Sequence, residues 1–388
     1  MLSNNIYTQG SQLNGYGNIT DNRSSTELTP ETRKRLKDPF ENPTEYHSFR
    51  DDYSKILPWI KMQDYKIPLV PARTEKNMLK RQYSIGGTCM LLHSIASQLG
   101  VVLAMLLIQF IIKLVSGHSD MSDIDDYMEQ SSVLTALNMI ILVLANTLFA
   151  VLGLKWSKTD HPSLFRTHGF NYRYAIEYCF IALAIWCAAN LISSGIEEIF
   201  NRFDQTTIPP GMEDTAVTGL GKTVEVIYAC IMAPVTEEIF FRGMILRVFS
   251  KANQRFAVFA SALFFGLGHG NIPQFALAFL LGIFLGHITL KHGSIIPSII
   301  VHMFINTFVT AVSFLPDTSI VSGIINFILV AASVIGIGLL VIYRKTDRLP
   351  SATPAQSRRG ITVAKTAPAF VGAILVMTAL MAVATFAV

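Results

Sequence analysis

Charge is scarce in this chain. Only 15% of its 388 residues are Asp, Glu, Lys or Arg, 51% are apolar, and the mean hydropathy is +0.42. That composition excludes an ordinary soluble domain. The formal net charge of +4 is small, so no nucleic-acid partner is expected. The four cysteines, Cys89, Cys179, Cys187 and Cys230, all lie in apolar runs, and no C-x-x-C spacing occurs. This excludes a cysteine metal knuckle and leaves reduced packing residues. The start lacks an apolar run behind basic residues, so no cleaved signal peptide is expected. Met1-Leu2-Ser3 excludes myristoylation, and no terminal Cys is present for prenylation. No H-E-x-x-H occurs, which removes the helical zinc-protease signature. The span pattern shows no internal repeat, and this weighs against a transporter with a proton-coupled Glu/His relay.

What the chain has instead is long hydrophobic runs. From Ile85 onward they follow one another near 88–115, 132–154, 174–195, 218–245, 256–270, 274–290, 294–314, 319–343 and 367–387. Most are long enough to cross about 30 Å of hydrocarbon. The predicted fold is all-α, a polytopic transmembrane helical bundle of about eight to nine spans with a polar N-terminal extension. Four regions are expected: 1–84, polar, cytoplasmic and partly disordered; 85–169, two spans and a basic loop; 170–345, the core; and 346–388, a basic linker and a last span. Gly270-Asn271-Ile272-Pro273 reads as a turn at bilayer depth, tolerable where it lines a cavity or is covered by protein.

Loop charge sets an expected orientation. Lys76, Lys80 and Arg81 precede the first span, whereas Asp120, Asp123, Asp125, Asp126 and Glu129 follow it without a Lys or Arg among them. Basic and acidic or neutral loops go on alternating, as the positive-inside rule requires. The expected product is a multi-pass integral protein of the cell membrane with a cytoplasmic N-terminus. Nine spans would leave the C-terminus on the other side.

Against this background a few ionisable residues stand out. Ala233 to Gly243 reads A-P-V-T-E-E-I-F-F-R-G, which sets Glu237, Glu238 and Arg242 within a span. Charges at that depth cost about 2.5–3.5 kcal/mol each on insertion scales, so they take partners and mark function. Phe265-x-x-x-His269 and His302-x-x-x-Asn306 answer them from two other apolar runs, and i,i+4 spacing puts both members of each pair on one helix face. At about 1.5 Å per residue, Glu238 lies roughly 14 Å from Arg247, and His302 roughly 12 Å from Ser294. All three pairs can therefore meet at one depth. Pro234 removes a backbone donor ahead of the carboxylates. A break there would let Thr236 cap a new helix with Glu237 and Glu238 in its first turn. Gly282-x-x-x-Gly286 has the spacing that lets helix backbones approach in lipid. His93, with Gln98 and Gln109, is expected to hydrogen-bond between helices, His287 and His292 to pack or sit at the interface, and Glu177 to pair with Arg173.

On E-E-x-x-x-R (Glu237, Glu238, Arg242), F-x-x-x-H (Phe265, His269) and H-x-x-x-N (His302, Asn306), the chain resembles the CAAX protease and bacteriocin-processing (CPBP, or Abi) intramembrane proteases over about 170–345. The resemblance implies an endopeptidase of the membrane. In it, Glu237 and His269 hold and activate a water, His302 and Asn306 polarise the scissile carbonyl, and Glu238 and Arg242 brace the site. Hydrolysis does need a base and donors fixed where negative charge develops, and these residue types supply both. Zinc is one option, since Glu237, His269 and His302 are acceptable ligands; a glutamate-activated water needs no ion. The implied partners are the lipid bilayer and a peptide or protein substrate, lipidated in the CAAX-type case. The rival reading is a non-catalytic binding or immunity protein that holds a peptide in the same polar cavity.

Overall fold

The computed structural model describes residues 71–116, 132–157, 159, 164–165, 171–203, 219–251, 253–314, 320–346 and 361–386. The polar stretch 1–70 and the acidic loop at 120–129 lie outside them. Every long element is a helix: α1 (Pro71–Ser116), α2 (Ser132–Trp156), α3 (Tyr172–Asn201), α5 (Gln254–Gly268), α6 (Ile272–His292), α7 (Ile296–Ser313), α8 (Ile320–Thr346) and α9 (Pro368–Phe386). Between α3 and α5 runs one composite rod, α4, made of Gly219–Ile227, Tyr228–Met232, Ala233–Glu237, Glu238–Leu246 and Arg247–Ser250. Its second and fourth pieces are π-helical. No strand occurs among the described residues.

Seven helices, all but α4 and α5, are long and apolar enough to cross a membrane. Large apolar side chains line their outer faces, among them Leu103, Phe110 and Leu114 on α1 and Phe327, Val330 and Val334 on α8. Water does not solvate such faces; hydrocarbon does. The polar start of α1 is no break. The helix begins at Pro71, ahead of the run at Ile85, because Leu79 and Tyr83 are buried and the Tyr83 ring meets Phe249, Phe256 and Phe370.

Two apolar cores fill the bundle. One joins α1, α2, α4, α5 and α9 with Ile299 of α7, and the other joins α3, α6, α7 and α8. α6 belongs to both, with Ala278 and Leu290 in the first and Leu281, Phe284 and Leu285 in the second. Small residues permit this. A Cβ at Gly282 would come 3.0 Å from the Ala262 Cα, and one at Gly286 would come 3.4 Å from Val258, so the G-x-x-x-G face is where α6 lies against α5. The turn between α5 and α6 is the one expected. Gly270 takes a φ of 70°, which glycine adopts without a Cβ clash, and the Asn271 side chain caps α6 by accepting from the Gln274 N–H at 2.9 Å.

Other expectations find their partners. Arg173 pairs with Glu177 at 3.2 Å, and the Tyr343 hydroxyl donates to the same carboxylate. His292 meets the Tyr178 hydroxyl at 2.9 Å, while the Lys291 ammonium lies 4.8 Å from the Tyr343 ring centroid. These aromatic and cationic groups form the kind of cluster that anchors helix ends at an interface. His93 reaches Asn146 of α2 at 2.9 Å, a hydrogen bond between helices; Gln98 stays on the exposed face.

α3 and α8 pack through Gly336, where any Cβ would collide with the Phe180 carbonyl. Gly338, two residues on, has nothing within 4 Å of such an atom. Gly336→Ala should destabilise the detergent-solubilised protein by about 1–3 kcal/mol, the usual cost of overpacking. Gly338→Ala should leave the melting temperature in place, and thermal unfolding of the two variants side by side checks this.

Candidate active site

The site is built on α4, and the peculiarity of α4 starts at Pro234. A proline inside a helix lacks the N–H that its turn needs. Here the rod neither stops nor starts afresh. Over Tyr228–Met232 it widens to π geometry, with the Ala233 N–H reaching back to the Tyr228 carbonyl. The next donor in that register would be Pro234, which has none. The Ala229 carbonyl left over accepts instead from Asn306 Nδ2 of α7, at 2.9 Å.

The expected cap at Thr236 is therefore corrected. Backbone dihedrals are right-handed helical on either side, and the Thr236 hydroxyl donates back to the Met232 carbonyl at 2.9 Å. Glu237 and Glu238 sit within a continuous rod, so no helix N-terminus stabilises them. Their partners are side chains.

Glu238 is completely buried. One of its oxygens, Oε1, accepts from Arg242 Nη1 at 2.7 Å and from His302 Nδ1 of α7 at 2.9 Å. The i,i+4 pair anticipated between Glu238 and Arg242 is thus present, with both side chains fully enclosed. Arg242 Nε and Nη2 find no hydrogen-bond acceptor among the described residues. The guanidinium instead lies over the Phe265 ring, 4.2 Å from its centroid, where the π face takes part of the charge.

Glu237, the next residue, is in a different situation. Its side chain keeps 20% exposure, and its Oε2 stands 3.8 Å from His302 Nε2. That is too long for a hydrogen bond. His302 therefore presents one ring nitrogen to each glutamate: Nδ1–H donates to the buried one, and Nε2 faces the accessible one.

His269 closes α5. Its Nδ1 bonds the Phe265 carbonyl at 2.8 Å, which leaves Nε2 as the nitrogen available to a ligand. No hydrogen bond joins His269 to Glu237 among the described residues. What links the two histidines is Phe265. Its ring meets His269 edge-on with centroids 4.9 Å apart, and His302 edge-on at 5.6 Å. Phe265 is 1% exposed and touches Arg242 and both imidazoles. Its place as the common support was not read from the sequence, although its fixed position four residues before His269 was a signal.

The three-ligand zinc set does not fit this arrangement. Among the described residues no three His, Cys, Asp or Glu side chains stand close enough together to hold a metal ion. Each imidazole turns its Nδ1 to a neighbour in the protein, His269 to the Phe265 carbonyl and His302 to Glu238, so only the two Nε2 atoms are left to meet a ligand. No step below runs through a metal.

Apolar helices that only lipid can cover, enclosing a carboxylate, guanidinium and imidazole cluster, define an integral membrane protein with a polar site inside it. Residues 219–308 match the family model described as type II CAAX prenyl endopeptidase Rce1-like. That stretch holds α4, α5, α6 and α7 as far as Phe308, and so every candidate site residue. It is narrower than the 170–345 core suggested by the sequence motifs, and it names the same family. No curated protein and no solved structure matches the chain.

Removing one member of a buried ion pair strands the other, which costs about 3–5 kcal/mol. Arg242→Leu should therefore lower the yield of folded protein and its unfolding free energy by that order. The double variant Glu238→Gln/Arg242→Leu should recover part of the loss, since neither charge is then left alone. Denaturant titration in mixed micelles measures both.

Proposed function

We propose that the protein is an intramembrane endopeptidase, hydrolysing a peptide bond of a membrane-associated substrate with Glu237 as the general base. The observation that supports this most directly is the unequal burial of two adjacent glutamates. Glu238 is sealed and bonded through Oε1 to Arg242 and His302, whereas Glu237 keeps 20% exposure and, among the described residues, stands 3.8 Å from His302 Nε2 without a direct hydrogen bond. Two like side chains, one residue apart, are thereby assigned to bracing and to chemistry.

The reading extends to His302, whose ring is held at Nδ1 by Glu238 and stands with Nε2 3.8 Å from Glu237 Oε2, beside the place where Glu237 would direct a water at a scissile carbonyl. His269 Nε2 orients the water, and the second N–H of the Asn306 amide is available beside the carbonyl.

The reaction then balances without an external reagent. Glu237 takes a proton from water as the water oxygen bonds to the carbonyl carbon. The tetrahedral intermediate collapses with cleavage of the C–N bond, and Glu237 returns the proton to the leaving nitrogen. Expulsion of bulk water by the surrounding helices strengthens each of these electrostatic contacts. The matched family makes a prenylated C-terminal CAAX segment the substrate class proposed first. The form of the reaction proposed is metal-free and glutamate-type, a choice supported by the lack of a three-ligand cluster among the described residues.

Glu237→Gln preserves shape and removes the base. It should reduce cleavage of a prenylated CAAX peptide by the purified full-length protein at least a thousandfold, with the melting temperature unchanged. Wild-type turnover by this variant would refute the assignment. Retained peptide binding with no product from the wild-type protein would favour a non-catalytic binding role.

A further inference from the structure

Thr236 precedes Glu237, and the structure joins it to two helices outside the matched stretch. Asn146 of α2, 3% exposed, donates from Nδ2 to Thr236 Oγ1 at 3.2 Å. His93 of α1 bonds Asn146 Oδ1 through Nε2 at 2.9 Å. The direction of the chain follows from its ends. The Thr236 hydroxyl gives its hydrogen to the Met232 carbonyl, so it must accept from Asn146, and the Asn146 carbonyl oxygen must then accept from His93 Nε2–H. Every link so drawn has one donor and one acceptor.

The same histidine holds the following turn. Its ring stacks on Phe240 with centroids 4.8 Å apart and planes 19° apart. Thr236 and Phe240 are four residues apart and share a face of α4, and Glu237 lies between them in sequence, about 100° further round the rod. On the α7 side, Asn306 holds the Ala229 carbonyl that Pro234 leaves free. The stretch of α4 carrying the accessible carboxylate is thus held by a side-chain amide from each flank.

We infer that His93, Asn146 and Thr236 are positioning residues. Through them α1 and α2 set the rotation of α4 at Glu237, so this pair of helices is part of the catalytic apparatus as well as of the membrane anchor. The inference rests on the hydrolase reading of Glu237. Hydrolysis is sensitive to displacements of the base well below 1 Å, whereas substrate affinity draws on contacts elsewhere. The effect of cutting the chain therefore belongs in turnover.

The test uses the purified full-length protein in liposomes with a prenylated CAAX peptide as probe. Thr236→Val and Asn146→Leu, both close in shape to the native residues, should each lower kcat about tenfold and leave KM within twofold. The double variant should show the same loss of about tenfold in total, not a hundredfold, because each substitution cuts the same chain. Thr236→Ser should restore most of the turnover, and it carries the comparison if Asn146→Leu does not accumulate folded. Wild-type kcat in Asn146→Leu or Thr236→Val, or a multiplicative loss in the double variant, overturns the inference. If Glu237→Gln is inactive while Asn146→Leu is unaffected, only the positioning role falls. A fully active Glu237→Gln removes the hydrolase reading and this one with it.

Discussion

Glu238 Oε1 is the atom on which the site depends. It accepts hydrogen bonds from two cationic or polar groups on different elements, Arg242 one turn along its own rod and His302 on α7. In water such a carboxylate would be solvated from every side and would direct nothing. Fully enclosed in protein, it relies on these donors, and losing either leaves charge where charge is least tolerated. The contact thus locks α4 to α7 in rotation as well as distance. The π geometry over Glu238–Leu246 belongs to the same solution. A wider turn reduces the angle between successive side chains, so two neighbouring glutamates can approach one imidazole.

Apolar packing then protects this polar centre instead of creating it. Phe265 supplies a face to Arg242 and edges to two imidazoles, so the aromatic quadrupole is used on both its negative and positive parts. Glycines on α6 bring it against α5, which ends in His269. The second core, of α3, α6, α7 and α8, holds α7 and therefore His302 and Asn306. Because α6 is shared, the two halves cannot shift independently without disturbing the imidazole spacing.

Much of this was legible in the residues. Hydropathy runs place each described helix within a few residues wherever the outer face is uniformly apolar, as on α8. The start of α1 was not visible, because Leu79 and Tyr83 are single apolar residues among Lys, Arg and Gln, and only their partners Phe249 and Phe370 explain them. The Glu238–Arg242 pair follows from spacing alone. The state of Thr236 does not. Sequence shows a proline and a hydroxyl, and these suit a new helix start; the carbonyl that Pro234 strands is satisfied by Asn306, seventy-seven residues away along the chain. With that partner supplied, the rod has no reason to break. Long-range partners of this kind leave no local pattern, so the roles of Asn146 and Phe265 also emerge only in three dimensions.

The contrast between Glu237 and Glu238 shows why a duplicated residue need not be redundant. Neither side chain is special by composition, and the rod gives both the same backbone. What differs is the number of donors each meets. Glu238 is surrounded by enough positive and polar partners to remain buried and immobile, while Glu237 keeps a fifth of its surface and faces an imidazole across a gap too wide for a direct bond. A carboxylate enclosed against a guanidinium and an imidazole has little to offer a substrate. One held nearby, with its bonding incomplete, has the free energy of that missing contact still available for a water molecule and, in the proposed transition state, for the proton it would take. The buried neighbour makes this possible, because without it the guanidinium and the imidazole would turn to Glu237 and quench it.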